Sequence, residues 1–181
     1  MSAGAAALAA PALYLAVLGV QRLHELRLSA RHARALIARG AVESGPGQMR
    51  WLVVIHAAMP LSLIAEVLWG GARPPALWPI PLAALVLAAA LRLASMRALG
   101  ELWTARVLVV PDMPRVRHGI YAVLAHPSYL AAAVELAAGP LMFGAWRTAL
   151  AMSLLNAPLI AARIRCESGA LADAAGPAAQ G

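Results

Sequence analysis

The residues best equipped for chemistry fall between Arg106 and Glu135, in a stretch reading RVLVVPDMPRVRHGIYAVLAHPSYLAAAVE. Within it, Gly119-Ile120-Tyr121 leads to Ala125-His126-Pro127-Ser128-Tyr129. An imidazole such as that of His126 can orient an acceptor or take its proton. Proline at 127 suits the first turn of a helix, where its missing N–H costs nothing, and such a helix points its positive dipole end at whatever binds beside His126. His126 and Tyr129, three residues apart, share a face of that helix. Glu135 lies about two turns deeper in an otherwise apolar run. A carboxylate there costs about 3 kcal/mol on insertion scales, so it must meet a partner or a polar cavity rather than lipid. Glu135 reads either as a site residue, since it shares a helix with His126, or as a hydrogen-bonding partner for a neighbouring helix. Glu66, alone in an earlier apolar run, reads as the second kind.

A further pair closes the last apolar run, in Arg163-Ile164-Arg165-Cys166-Glu167. Arg163 and Glu167 stand at i,i+4 and can meet on one helix face, although arginine preceding glutamate is the weaker order for supporting an isolated helix. Either the pair serves a site, or Arg163 and Arg165 anchor a helix end at the headgroups. A metal is not expected: the five histidines have no HExxH spacing and no CxxC occurs. One cysteine, Cys166, excludes an intramolecular disulfide.

The elements that must position these groups are set by the solvent. The 181-residue chain is 62% hydrophobic and 13% charged, against about 25% charged in soluble domains. Its apolar residues come in blocks of the length, about 20 residues, that crosses a bilayer. The first runs from about Ala3 to Val20. A cleaved signal peptide competes for this block, but the arginines follow it rather than precede it, the wrong polarity for such a leader. Residues 21–50 form a basic segment in which Leu23, Leu26, Ala30, Ala33 and Ile37 recur at helical spacing, as in an amphipathic interfacial helix. Further blocks span Trp51 to Gly71, Trp78 to about Leu99, Ser128 to Phe143 and Thr148 to about Ala162. Arg92 and Arg97 imply that the third block leaves the lipid in its last turns. Alternation from Val107 to Val110 ends at Pro111, outside the lipid. The tail around Gly176-Pro177 has a disordered composition.

The charge of +7 and pI near 11.2 come from fifteen arginines and no lysine. A nucleic-acid reader would gather such charge on one soluble face with stacking aromatics; here it lies in the gaps between apolar blocks. Thirteen arginines fall in segments 21–50, 92–118 and the tail, and two (Arg73, Arg147) in the short turns of the other side. Positive charge marks cytoplasmic loops, so the expectation is five spans with the N-terminus outside and the C-terminus in the cytoplasm. The fold class is all-α: one polytopic membrane domain over 1–181, with 21–50 a basic cytoplasmic or interfacial segment and 100–172 the part that binds a cofactor. No internal repeat favours a transporter, and no GxGxxG follows a strand.

The ordered set of GIY, HPSY, an intramembrane glutamate and RxxxE after a final helix resembles the isoprenylcysteine carboxyl methyltransferase family, over roughly residues 92–172. That family includes bacterial members and is similar to membrane phospholipid methyltransferases. Upstream, Gln21-Arg22-Leu23-His24-Glu25-Leu26, Arg39-Gly40 and Glu43 look like bacterial members linked to type III polyketide lipids. The resemblance implies an all-helical membrane enzyme holding S-adenosylmethionine in a cytoplasm-facing pocket. It builds that pocket from His126, Pro127 and Tyr129 and from the pair Arg163 and Glu167. With the reading of the residues themselves, the expected catalytic groups are His126, Arg163 and Glu135, and the expected cofactor groups Tyr121, His126, Pro127, Tyr129 and Glu167. Two positions depart from the family: Ala125 replaces its usual arginine before His-Pro, and Ser168 its second acidic residue after Glu167.

The expected function is methylation of a lipophilic acceptor, namely O-methylation of an alkylated phenol or pyrone, in a bacterial inner membrane. The alternatives are phospholipid N-methylation, prenylcysteine-type carboxyl methylation, and a non-enzymatic scaffold or subunit. The expected partners are the bilayer and a lipid-like small molecule, with neither nucleic acid nor an obligate protein partner. Glu167 suits a ribose or amino group, and Tyr121 or Tyr129 a sulfonium, by cation–π attraction.

Overall fold

The computed structural model describes residues 3–111, 113 and 115–174; the tail around Gly176-Pro177 lies outside them. Five helices carry the chain: α1 (Ala3–Ala38), α2 (Gln48–Leu68), α3 (Pro79–Leu99), α4 (Pro127–Met142) and α5 (Trp146–Ala174). Four of them are long and apolar enough to cross a membrane. The remaining helix, α4, is shorter, with 16 residues, about 24 Å at 1.5 Å per residue, and packs between α3 and α5. The protein is an all-helical membrane protein.

Outward faces carry the large apolar side chains, among them Leu61, Val86, Leu87 and Leu154, all exposed. Inward faces are built from small residues, with Ala88, Ala131, Ala145 and Ala149 buried. Lipid is as apolar as leucine, so helices associate through close packing of small residues and through polar contacts. Near the middle of the bundle Ile55, Met59, Leu136, Met152 and Leu159 make one core; Leu63, Val67, Ala72, Phe143 and Ala145 make a second. Glu66 caps α5. Its carboxylate accepts the backbone N–H groups of Arg147 and Thr148 and the Thr148 hydroxyl, at 3.1, 2.7 and 2.7 Å. That satisfies donors which an uncapped helix start leaves orphaned, and is the helix-to-helix role expected of this residue. Gly144, at φ +74°, turns α4 into α5 against the Arg73 backbone, where no Cβ fits.

The first helix departs from expectation. It does not end at Val20 but runs unbroken for 36 residues, about 54 Å, well beyond the ~30 Å of a hydrocarbon core. Of the anticipated apolar face, Leu23, Leu26 and Ile37 point outward. The residues it buries against the protein are Glu25, Ser29, Ala33 and Leu36, of which Ala33 belongs to that face. Arg92 is buried and paired with carboxylates from other helices. Finally, the Val107–Val110 alternation becomes half of a two-stranded antiparallel pair. Val42–Glu43 (β1) pairs with Leu108–Val109 (β2), in register Val42 with Val109 and Glu43 with Leu108. The pair joins the α1–α2 connection to the α3–α4 connection at one end of the bundle.

Candidate cofactor site at the start of helix α4

Pro127 is fully buried as the first residue of α4, and His126 is the N-cap, in a non-helical backbone conformation. Proline's fixed φ starts the helix here and leaves the two flanking side chains, His126 and Ser128, on the wall of an open cleft. Tyr121, Tyr129 and Glu167 line the same cleft, with an apolar wall of Leu99, Leu102, Val107, Val109 and Leu171. Four of the candidate residues therefore converge on it: Tyr121, His126, Tyr129 and Glu167.

Their mutual geometry leaves one group open. The His126 ring stacks on Tyr129 with centroids 5.6 Å apart and planes 24° apart. Its Nδ1 lies 3.8 Å from a Glu167 carboxylate oxygen, too far for a hydrogen bond, and is buried without a partner. A buried nitrogen left unpaired costs about 1–3 kcal/mol, so a polar ligand atom between His126 and Glu167 would be favoured. On the opposite side of the wall, Tyr121 and Ser128 both hydrogen-bond the Ser95 hydroxyl, at 2.7 and 2.6 Å. Burial pushes the Tyr121 phenol above its ordinary pKa; the serine hydrogen bonds pull it down, and the Glu167 charge adds to the rise.

Arg163 and Glu135 are placed differently. Arg163 is buried, stands over the Tyr129 ring at 5.6 Å, and donates to the Ala105 carbonyl at 2.6 Å. It thus backs the cleft wall and ties α5 to the segment after α3. With a guanidinium already on Tyr129, Tyr121 is the cleft's tyrosine without a cation on its ring among the described residues. Glu135 is not on the cleft. It pairs with Arg92 of α3 and Arg22 of α1 inside the bundle.

Several supporting residues gave no chemical signal in the sequence. Ser29 accepts the Ala105 N–H at 2.9 Å, and His32 Nδ1 donates to the Trp103 carbonyl at 2.8 Å. Glu43 on β1 holds the Arg106 guanidinium in a two-pronged contact, and this hydrogen bonding raises the arginine pKa further. Residues 103–109, one wall of the cleft, are thus held by α1 and β1 from one side and by Arg163 from the other. Ser95 had a faint signal: it is a lone hydroxyl one turn after Arg92 in an apolar helix.

Comparison with known proteins agrees with this architecture. An uncharacterized protein of Bacillus subtilis, YpbQ, is 34% identical over 160 residues, covering 88% of this chain and 95% of that one. An uncharacterized protein of Haemophilus influenzae is 29% identical over 151 residues, covering 83% and 88%. No solved structure matches the chain. The pattern of one methyltransferase family matches residues 80–173, which span α3, α4 and nearly all of α5. The chain belongs to the isoprenylcysteine carboxyl methyltransferase family.

Proposed function

We propose that the protein is an S-adenosylmethionine-dependent methyltransferase of the bacterial inner membrane, acting from the cytoplasmic side on the oxygen of an alkylated phenol or pyrone. The observation that carries this reading is one cleft in which His126, Tyr129, Tyr121 and Glu167 come together with a wall that includes Leu99, Leu102, Val107, Val109 and Leu171. The family's methyl donor suits these groups. S-adenosylmethionine, when bound, supplies a methyl group on a positively charged sulfur. Glu167 can accept hydrogen bonds from hydroxyl or amino groups, the unpaired His126 Nδ1 can meet a further polar atom, and the Tyr121 ring can face a cation. The residues present fit the group.

Each side chain then has a task that its position supports. Glu167 and Tyr129 hold the cofactor, with Arg163 fixing the Tyr129 ring from behind. His126 orients the acceptor oxygen or takes its proton. Methyl transfer is an in-line displacement, so holding two reactants together can provide most of the acceleration. The apolar wall accepts an alkyl chain, whose polar head then reaches the site from the bilayer. Glu135 acts from a distance, by fixing α4 against α3.

Five passes with the C-terminus in the cytoplasm suit this chemistry, because the donor is cytoplasmic. The β1–β2 pair brings the 39–44 and 101–109 segments to one end of the bundle, the arginine-rich end, and the Arg73–Gly144 contact marks the other. Setting aside Arg22 and Arg92, which are paired inside the bundle, eleven of the remaining thirteen arginines belong to the first end.

Two measurements test the reading. Calorimetry of S-adenosylhomocysteine with purified protein in detergent should show one binding event. Membranes given labelled cofactor with an alkylresorcinol, an alkylpyrone, a prenylcysteine and phosphatidylethanolamine should label the first or second. Label only in phosphatidylethanolamine, or only in the prenylcysteine, would remove the polyketide-lipid assignment. No binding at all would favour a scaffold.

A further inference from the structure

The three hydroxyls of Tyr121, Ser95 and Ser128 form a chain that begins and ends on the cleft but passes behind its wall. Tyr121 and Ser128 line the cleft, whereas Ser95 is completely buried. Each hydroxyl has one hydrogen to donate, and two hydrogen bonds join the three groups. One hydrogen is therefore left over. If both ends donated to Ser95, that hydrogen would be the serine's own, buried with no third partner among the described residues. Such an orphan costs about 1–3 kcal/mol. The chain avoids the cost by running head to tail, so that the spare hydrogen sits at Tyr121 or at Ser128, in reach of the cleft. Both directions satisfy Ser95 equally, and reversing the chain moves one proton's worth of charge from one end to the other.

The two ends differ in their surroundings. Ser128 lies between Pro127 and Tyr129 at the start of α4, beside the His126–Glu167 groups. Tyr121 sits in the short 3-10 segment Gly119–Ala122, whose neighbour Val123 is 81% exposed. The Ser128 end is thus beside His126, and the Tyr121 end lies on the same open cleft, in the loop that precedes α4. His126 Nδ1, by contrast, faces the Glu167 carboxylate on the same wall.

We propose that Ser128, Ser95 and Tyr121 form a proton relay that carries the acceptor's hydroxyl proton out of the site. The inference rests on the methyltransferase reading above. As the acceptor oxygen forms its bond to the methyl carbon, its hydrogen passes to the Ser128 oxygen. The Ser128 hydrogen passes to Ser95, the Ser95 hydrogen to Tyr121, and the Tyr121 hydrogen to water in the open cleft. Each hydroxyl gains one proton and loses one, so the chain ends neutral and reversed, and rotation of the three hydroxyls resets it. The methyl–sulfur bond breaks with its electron pair left on sulfur, which balances the positive charge released as the proton. A relay matters for an acceptor that holds its proton, such as a phenol with pKa near ~10, and not for one already ionised, such as an acidic hydroxypyrone.

Initial rates with an alkylresorcinol and with an acidic alkylated hydroxypyrone test this, in wild type, Ser95→Ala, Ser95→Thr and Tyr121→Phe. S-adenosylhomocysteine calorimetry reports whether each variant is folded. Ser95→Ala should lose about 10²-fold on the phenol at neutral pH, the lower range of proton-transfer contributions, and less than about 3-fold on the hydroxypyrone. Tyr121→Phe should lose at least ~10-fold more on the phenol than on the hydroxypyrone. Ser95→Thr, which keeps the hydroxyl, should stay near wild type on both. Raising the pH through the phenol's pKa should restore the Ser95→Ala rate. Equal losses on both acceptors, no loss on the phenol, or a wild type that methylates only the hydroxypyrone would each overturn the relay. A wild type that binds no S-adenosylhomocysteine and methylates neither acceptor would instead overturn the methyltransferase reading. If Ser95→Ala does not fold, Tyr121→Phe against Ser95→Thr decides the question by the same selectivity.

Discussion

Glu135 accepts two hydrogen bonds from Arg92 across the α3–α4 interface, from Nε at 3.0 Å and from a terminal nitrogen at 2.5 Å. Arg22 of α1 reaches the same carboxylate and Glu25, and Arg92 Nε lies 3.6 Å from Glu25. Two cations and two anions from three helices therefore neutralise one another inside the bundle. Each alone would be expensive in lipid. Together they fix the rotation of α3 against α4, and one turn along the same interface Ser95 meets Ser128.

Removing one member should therefore be worse than the pair is good. Glu135→Ala leaves two arginines short of a carboxylate, and breaking a buried pair in this way costs about 3–5 kcal/mol. The thermal midpoint in detergent should fall clearly for Glu135→Ala and less for Glu135→Gln, which keeps the shape and an acceptor oxygen. Turnover per folded molecule should change much less than the midpoint. An unchanged midpoint with lost turnover would place Glu135 in the chemistry instead.

Glu66→Ala removes three hydrogen bonds from the first turn of α5. Capping losses run about 0.5–2 kcal/mol. The variant should melt at a lower temperature while binding S-adenosylhomocysteine as tightly as wild type, since the cap lies at the opposite end of α5 from Glu167. Weaker binding at full stability would contradict that separation.

Membrane orientation can be read with reporter fusions. Those placed after Arg39 and Arg117 should report cytoplasm, and one after Arg73 the outside. The β1–β2 pairing requires the first two to agree, whichever way the bundle faces. A split between them would contradict the fold itself, whereas reversal of all three would contradict only the orientation.

How much of this was legible in the sequence depends on where the signal is local. Pro127 after His126 announces a helix start, and α4 begins there. Glycine and proline pairs likewise mark the turn between α2 and α3. The partner of Arg92 was not legible, because it lies 43 positions away in the chain. Nor was the continuation of α1 past Val20 as one helix, because the residues it buries there begin with Glu25 and Ser29, polar residues that hydrophobic periodicity does not count. Ser29, His32 and Glu43 support the cleft through backbone or ion-pair contacts with residues 103–106, and only tertiary structure brings those segments together. The convergence of Tyr121, His126, Tyr129 and Glu167 followed from the resemblance, not from spacing.

The last prediction separates holding the cofactor from using it. Glu167 and His126 face each other across 3.8 Å without bonding, so a ligand atom can contact both, and each substitution removes a different part of the site. Glu167→Ala deletes the carboxylate on the cleft, and with it about 1.5–3 kcal/mol if it accepts a hydrogen bond from a charged amino group. S-adenosylhomocysteine affinity should then fall by roughly ten- to a hundred-fold, since each 1.4 kcal/mol is tenfold. His126→Ala leaves the carboxylate in place but removes the ring stacked on Tyr129 and the group beside the acceptor. Its effect should appear mainly in kcat, with cofactor affinity changed less than in Glu167→Ala. His126→Gln, which restores a hydrogen-bonding atom without a base of useful pKa, then divides the remaining alternatives. Recovery of the rate would mean that His126 orients the acceptor, as the Ser128 relay requires, and failure to recover would mean that it takes the proton in place of that relay. Should Glu167→Ala leave both affinity and rate unchanged, this cleft is not where the cofactor binds.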